Sequence, residues 1–128
     1  MPVTYSVSSD GKFVHVIATE PLAKDHVFEF LDTVWQDSRV KSGHTILFDE
    51  SQISEPRIST EDLQAIVAKQ ESKQAKRYSK LAIVAGPGSA FPRAIEYEKM
   101  VNPAQATVIV FHNEDVARKW LGVPYDDQ

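Results

Sequence analysis

The chain has 128 residues, no cysteine, and 14 Lys and Arg against 18 Asp and Glu, for a formal net charge of -4 at pH 7. That length suits a single domain over residues 1–128, large enough to bury roughly two thirds of the unfolded surface without a metal or disulfide. Absent cysteine excludes thiolate nucleophiles, disulfide frameworks and cysteine metal sites. The acidic balance argues against a nucleic-acid partner, which draws its affinity from clustered Lys and Arg. No basic-then-apolar leader opens the chain and no apolar run approaches the roughly 18 residues of a membrane span, so a soluble cytoplasmic protein is expected.

Val3, Tyr5 and Val7 alternate with Thr4, Ser6 and Ser8, the period of a strand with one wet face. Asp10-Gly11 supplies a turn before a second strand, Phe13 to Ala18, which predicts an antiparallel hairpin. From about Lys24 the apolar positions become Val27, Phe28, Leu31, Val34 and Trp35, a helical stripe with Phe30 at its margin. Thr45 to Phe48 is short and apolar on both faces, as in a central strand covered on each side, and Asp49 closes it. Ser59 or Thr60 is suited to cap the next helix, with Glu61 and Asp62 in its first turn and Leu63, Ile66 and Val67 as its buried stripe. Its polar continuation carries the basic cluster Lys69, Lys73, Lys76, Arg77 and Lys80, which reads as a solvated helix end.

Lys80 to Arg93, KLAIVAGPGSAFPR, places a buried strand before a glycine-containing loop and a helix starting at about Phe91 or Pro92. Ala94, Tyr97, Met100 and Val101 share one face of that helix, and Asn102-Pro103 stop it. Ala106 to Phe111 is a last apolar strand. Asn113 then caps a short helix that turns Val116, Ala117, Trp120 and Leu121 inward and ends at Gly122. The fold class is therefore α/β, a single mixed sheet with an N-terminal antiparallel hairpin and then mostly parallel strands, with about four helices in the order β-β-α-β-α-β-α-β-α.

The loop after the Lys80 strand is the default place for a ligand in such a sheet. Gly86, Gly88, Ser89, Phe91 and Arg93, with Asp49 at the end of the neighbouring strand, make a candidate ligand or anion loop beside the plainer reading of a strand-to-helix turn. It is not a Walker loop and lacks G-x-G-x-x-G, since Phe91 stands where the third glycine belongs. No nucleophile elbow occurs, because the segment reads G-P-G-S-A. His15, His26, His44 and His112 are scattered without metal-ligand spacing, so no metal, cofactor or catalytic set is assigned. Asp49, Glu50, Glu55, Glu61 and Asp62 cluster near one strand end, and of these Asp49 is the acidic residue chosen for a site.

The segments TILFDESQI, STEDLQAIV, LAIVAGPGSAFPRAIEYEKM and VIVFHNEDVARKWLG resemble the STAS fold of bacterial anti-sigma-factor antagonists, in particular its SpoIIAA-like branch, which is related to the lipid-binding CRAL-TRIO domains. The likeness spans nearly the whole chain and carries no catalytic signature. It implies a non-enzymatic binding or signalling module that engages a protein partner or its own copy, with Ser54 to Asp62 as a contact surface. In such antagonists a serine at the start of the helix after the Asp strand is phosphorylated within D-S-S-G. Here that region reads Arg57-Ile58-Ser59-Thr60-Glu61-Asp62, so Ser59 or Thr60 is the candidate phospho-acceptor or partner contact although the motif itself is not preserved. The alternative is a small anion or lipid-like ligand held at the loop 86–93 edge of the sheet.

Overall fold

The computed structural model describes residues 2–72 and 75–125. Strands β1 (Val3–Val7) and β2 (Phe13–Ala18) form the antiparallel hairpin, with Val3 opposite Ala18 and Val7 opposite Val14. Gly11 turns it at φ +74°, and a Cβ there would lie 2.2 Å from the Arg39 carbonyl oxygen. Helix α1 (Lys24–Gln36) leads to β3 (His44–Glu50), α2 (Thr60–Gln70) to β4 (Tyr78–Ala85), and α3 (Ala90–Met100) to β5 (Thr107–Phe111). The sheet order is β1-β2-β3-β4-β5, with every pair after the hairpin parallel.

Parallel strands laid down consecutively and joined by right-handed crossovers place every connecting helix on one face. Accordingly α1 packs against α2, α2 against α3, and all three rest on the sheet face that carries Val14, Val16, Ile46, Leu81, Ile83 and Val108. Helix α4 (Glu114–Leu121) folds back onto the other face, over Leu47, Ala82 and Val84. β3 is thus covered on both sides, as its unbroken apolar sequence requires. It runs from His44 to Glu50, one residue beyond the expected Thr45–Phe48 segment at the start and two at the end.

Capping follows local chemistry. Ser59 Oγ accepts the Asp62 N–H at 3.1 Å while Asp62 Oδ2 accepts the Ser59 N–H at 3.0 Å, a reciprocal box at the start of α2. Asn113 Oδ1 accepts the Val116 N–H at 2.9 Å, and Gly122 closes α4 at φ +73°. Phe30 is core, in edge contact with Tyr5 and Phe48.

Two side-chain expectations need correction. Val116 does not face inward but is 51% exposed. α4 is rotated so that Ala117, Arg118 and Leu121 are buried. The Arg118 guanidinium takes the inner place, donating to Glu114 Oε2 at 2.7 Å and to the Pro124 carbonyl at 3.1 Å while lying over the Phe13 and Tyr125 rings. The basic cluster is not simply a solvated helix end either. Lys69 pairs with Asp32 at 3.0 Å and lies over the rings of Phe28 and Trp35. Lys76 Nζ donates to the carbonyls of Asp37 and Val40, and Lys80 lies over Trp120. Lys73 falls outside the described residues. Among the described residues, no helix is long and apolar enough to cross a membrane.

Because α4 is the one described helix on its face, the fit of Leu47 beneath it should matter disproportionately. Leu47→Ala is expected to lower unfolding free energy by about 2–5 kcal/mol, and Asn113→Ala by about 1 kcal/mol, in urea denaturation.

Candidate ligand cleft

The strand alternation fixes which face each β3 side chain serves. Ile46, Phe48 and Glu50 belong to the face under α1, α2 and α3, while Thr45, Leu47 and Asp49 belong to the α4 face. Asp49 and Glu50 are therefore neighbours in sequence with opposite surroundings. Asp49 is half-buried, and its Oδ1 accepts the Ser51 N–H at 2.9 Å, a local turn contact. Glu50 is only 8% exposed, and among the described residues no hydrogen-bond or ion-pair partner meets its carboxylate.

Glu50 lines an open apolar cleft of about 90 Å³ between the sheet and the three helices. Leu22, Phe30 and Phe48 form part of its wall, Ile58, Leu63 and Ile66 another, and Ile83 and Ala94 the side towards α3. Burial pushes the Glu50 carboxyl up to about 8, and the negative Asp49 beside it acts in the same direction. The group is consequently a neutral acid over most of the physiological range, offering an O–H donor to an apolar space.

The other polar groups on the cleft each have at least one protein partner. Tyr97 donates to Gln70 Oε1 at 2.6 Å and lies 3.0 Å from the Tyr78 hydroxyl, a closed chain across the floor. Burial raises the Tyr97 phenol well above its ordinary value, so it stays protonated. Arg93 Nη1 donates to Glu96 Oε1 at 2.7 Å and to Thr60 Oγ1 at 3.3 Å, while the Thr60 hydroxyl donates to Glu96 Oε2. These contacts tie α3 to the first turn of α2, and the Thr60 bond, with the Arg93 guanidinium, holds the Glu96 carboxyl below its usual range.

The residues singled out from the sequence are dispersed around this cleft. Arg93 lines it, whereas Asp49 points to the opposite face of the sheet. Gly86 and Gly88 allow the β4–α3 loop to press against the β3–α2 loop, since a Cβ on Gly86 would lie 2.4 Å from the Ser51 carbonyl oxygen and one on Gly88 2.9 Å from that of Ser54. Ser89 spends both its backbone N–H and its hydroxyl on the Ser54 carbonyl, at 3.1 and 3.2 Å. Phe91 stacks on His112 at 4.2 Å, nearly parallel. Ser59 is exposed, with its oxygen serving the cap, and Thr60 is half-buried in the Arg93–Glu96 contact. The sequence points to Asp49 rather than Glu50 because Asp49 ends the continuous apolar run. The signal for Glu50 is parity, an acid two and four residues beyond Phe48 and Ile46 on the face of the strand that is otherwise apolar.

A second cavity, of about 40 Å³, lies at the opposite end of the strands beside His44, Lys76 and Arg77. Its polar groups are largely satisfied, with His44 Nδ1 2.8 Å from the Lys41 carbonyl and Lys76 bound to two carbonyls. His26 Nδ1 accepts the Ala23 N–H at 3.0 Å, a local contact at the start of α1. No group of three or more His, Cys, Asp or Glu that could hold a metal occurs among the described residues.

No family model matches the chain, and no curated protein matches it. By structure it is similar to an uncharacterized protein of the DUF3478 family with a SpoIIAA-like fold from Shewanella loihica PV-4, with a TM-score of 0.58 and 15% sequence identity over 93% of this chain and 91% of that one. The order of its elements and its single mixed sheet are therefore those of the SpoIIAA-like fold.

Proposed function

We propose that the chain is a non-enzymatic, cytoplasmic STAS-like binding module whose working element is the cleft above β3, and that this cleft takes a small, predominantly apolar ligand. The observation that carries this reading is Glu50, a carboxyl 8% exposed and unpartnered among the described residues, on an otherwise apolar wall. Its oxygens face the open cleft, where solvent is the partner that a ligand would replace. A ligand that meets the carboxyl supplies what the fold leaves out.

A protein partner or a second copy bound through Ser54 to Asp62, with Ser59 or Thr60 as a phospho-acceptor, gains less support. Ser59 and Thr60 hold the start of α2 and its junction with α3. Phosphate on Thr60 would displace its bond to Glu96, and on Ser59 it would stand beside Asp62 and Glu61. Of the large apolar side chains described, Ile17, Val116 and Tyr125 are exposed, and none belongs to that surface.

The ligand reading is tested by titrating the full chain with a panel of small apolar compounds and following Leu, Ile and Val methyl resonances. A binder is expected to shift the methyls of Leu63, Ile66 and Ile83 and to raise the melting temperature, with stabilisation of about 2.7 kcal/mol at a hundredfold excess over its Kd. Ala94→Leu, which fills the cleft from α3, should abolish the response while leaving the fold intact. A panel that leaves these methyls unmoved would exclude the reading.

The burial of Glu50 also sets a pH dependence of stability. The folded state holds the proton up to about 8, whereas the unfolded carboxyl releases it near 4.5. Between those values the unfolded state binds fewer protons, so stability falls as pH rises, and the slope ends once both states are ionised. The loss at pH 7 is on the order of 3 kcal/mol. Glu50→Gln is accordingly expected to exceed the parent in stability near pH 8, with the gap narrowing as pH is lowered towards 4.5, in urea denaturation at a series of pH values. A gap independent of pH would show that the carboxyl is solvated.

A further inference from the structure

Resting on the ligand-binding reading above, we infer that the cleft selects an apolar molecule bearing a single uncharged carbonyl acceptor, a ketone, ester or amide, whose oxygen receives the hydrogen bond that the Glu50 acid has to give. The inference follows from what each group at the cleft still offers. Tyr97 bonds both Gln70 Oε1 and the Tyr78 hydroxyl, which leaves on the floor the Gln70 amide N–H groups, again donors. Arg93 retains free N–H donors, but its charge is already balanced by Glu96 at 2.7 Å. Glu50, with no protein partner among the described residues, is the one group whose hydrogen-bonding capacity is wholly unused. Arg93 offers N–H donors and the neutral Glu50 acid an O–H donor beside its own carbonyl acceptor, so an acceptor head group answers both residues.

Charge selects among acceptors. An anionic head would find Arg93 already neutralised by Glu96 at 2.7 Å and would otherwise meet a mainly apolar wall. An ammonium would have to ionise Glu50 on a wall that also bears Arg93. It would find no aromatic cage, because Phe30 is engaged edge-on with both Tyr5 and Phe48 and the remaining walls are mainly aliphatic. A neutral carbonyl meets neither obstacle. The volume of about 90 Å³ has room for on the order of six to nine water-sized groups, the scale of a small ring or short chain.

The groups that bear on Glu50 from each packed element are few. β3 contributes Asp49 and α3 contributes Arg93 and Tyr97, while α1 and α2 present only apolar side chains and Gln70 to the cleft. Glu50 is thus the group whose titration in the neutral to alkaline range should control the site.

The experiment is a methyl NMR titration of the full chain with cyclohexanone, cyclohexane, cyclohexylamine and cyclohexanecarboxylate, at about pH 7 and about pH 9.5. Cyclohexanone is expected to bind at pH 7 and to weaken roughly tenfold or more at pH 9.5, as Glu50 ionises and loses its donor. Glu50→Gln, which keeps a donor, should hold the pH 7 affinity to within about threefold and abolish the pH dependence. Glu50→Leu should weaken cyclohexanone by about fivefold or more but leave cyclohexane bound. If cyclohexanone affinity is flat with pH in the parent, or if the amine or carboxylate binds more tightly, the carbonyl inference is overturned while the cleft stands. If neither cyclohexanone nor cyclohexane moves the cleft methyls, the ligand reading itself fails.

Discussion

The consecutive order of the parallel strands governs everything else in this molecule. A right-handed crossover leaves the chain above the same face each time, so α1, α2 and α3 must share one side of the sheet. Three helices over four parallel strands bury most of the apolar side chains on that side, and the space they enclose opens at the C-terminal strand edge. Of the described helices the other side receives only α4, which is eight residues long. This unequal coverage explains both the cleft on the crowded face and the compact second core of Leu47, Ala82, Val84, Ala117 and Leu121 on the other.

The loops at the cleft edge are held by contacts between backbones rather than by ligand-directed donors. Ser54 lies at the junction. Its N–H donates to Glu20 Oε2 at 2.8 Å, and its carbonyl accepts both donors of Ser89. Gly86 and Gly88 are required because a side chain on either would strike the β3–α2 loop. A glycine-rich strand-to-helix turn resembles an anion cradle in sequence, since both need close backbone approach. Here the approach is to another loop of the same protein, and the polar head of the cleft lies one strand away.

Much of the architecture was legible because local patterns and the global fold agree. The alternation of Val3, Tyr5 and Val7, the Asp10-Gly11 turn, the Ser59 and Asn113 caps and the apolar runs at Thr45 and Leu81 each specify their element unaided. The failures are side-chain decisions made by tertiary packing. Val116 lies outside because the Arg118 guanidinium can lie over the Phe13 and Tyr125 rings while it donates to Glu114 and Pro124, a combination no helical stripe reveals. Lys69 and Lys76 look like solvent-facing charge, yet their partners Asp32, Asp37 and Val40 lie more than thirty residues earlier. Asp49 and Glu50 differ only in parity, and parity becomes decisive only when it is known that β3 extends through Glu50 and which face the three helices occupy.

Glu50 shows why burial, more than residue type, decides what an acid does. Asp49 sits one residue away with the same functional group, but its carboxylate meets the Ser51 N–H and remains half-exposed. Glu50 is enclosed by Leu, Ile and Phe side chains, where the ionised form is strongly disfavoured. A leucine at this position would remove a penalty on the order of 3 kcal/mol at neutral pH, a large share of the roughly 5–15 kcal/mol typical of a domain. Buried polar groups sometimes serve to fix a unique fold, but they do so by pairing with a specific partner. Glu50 has no such partner among the described residues, so fold specificity gives no reason for it. A bound molecule of the kind proposed would, because the same desolvation that weakens the free protein keeps the acid protonated and turns it into a donor of fixed direction. On that view the instability of the empty cleft and the selectivity of the occupied one have a single physical origin.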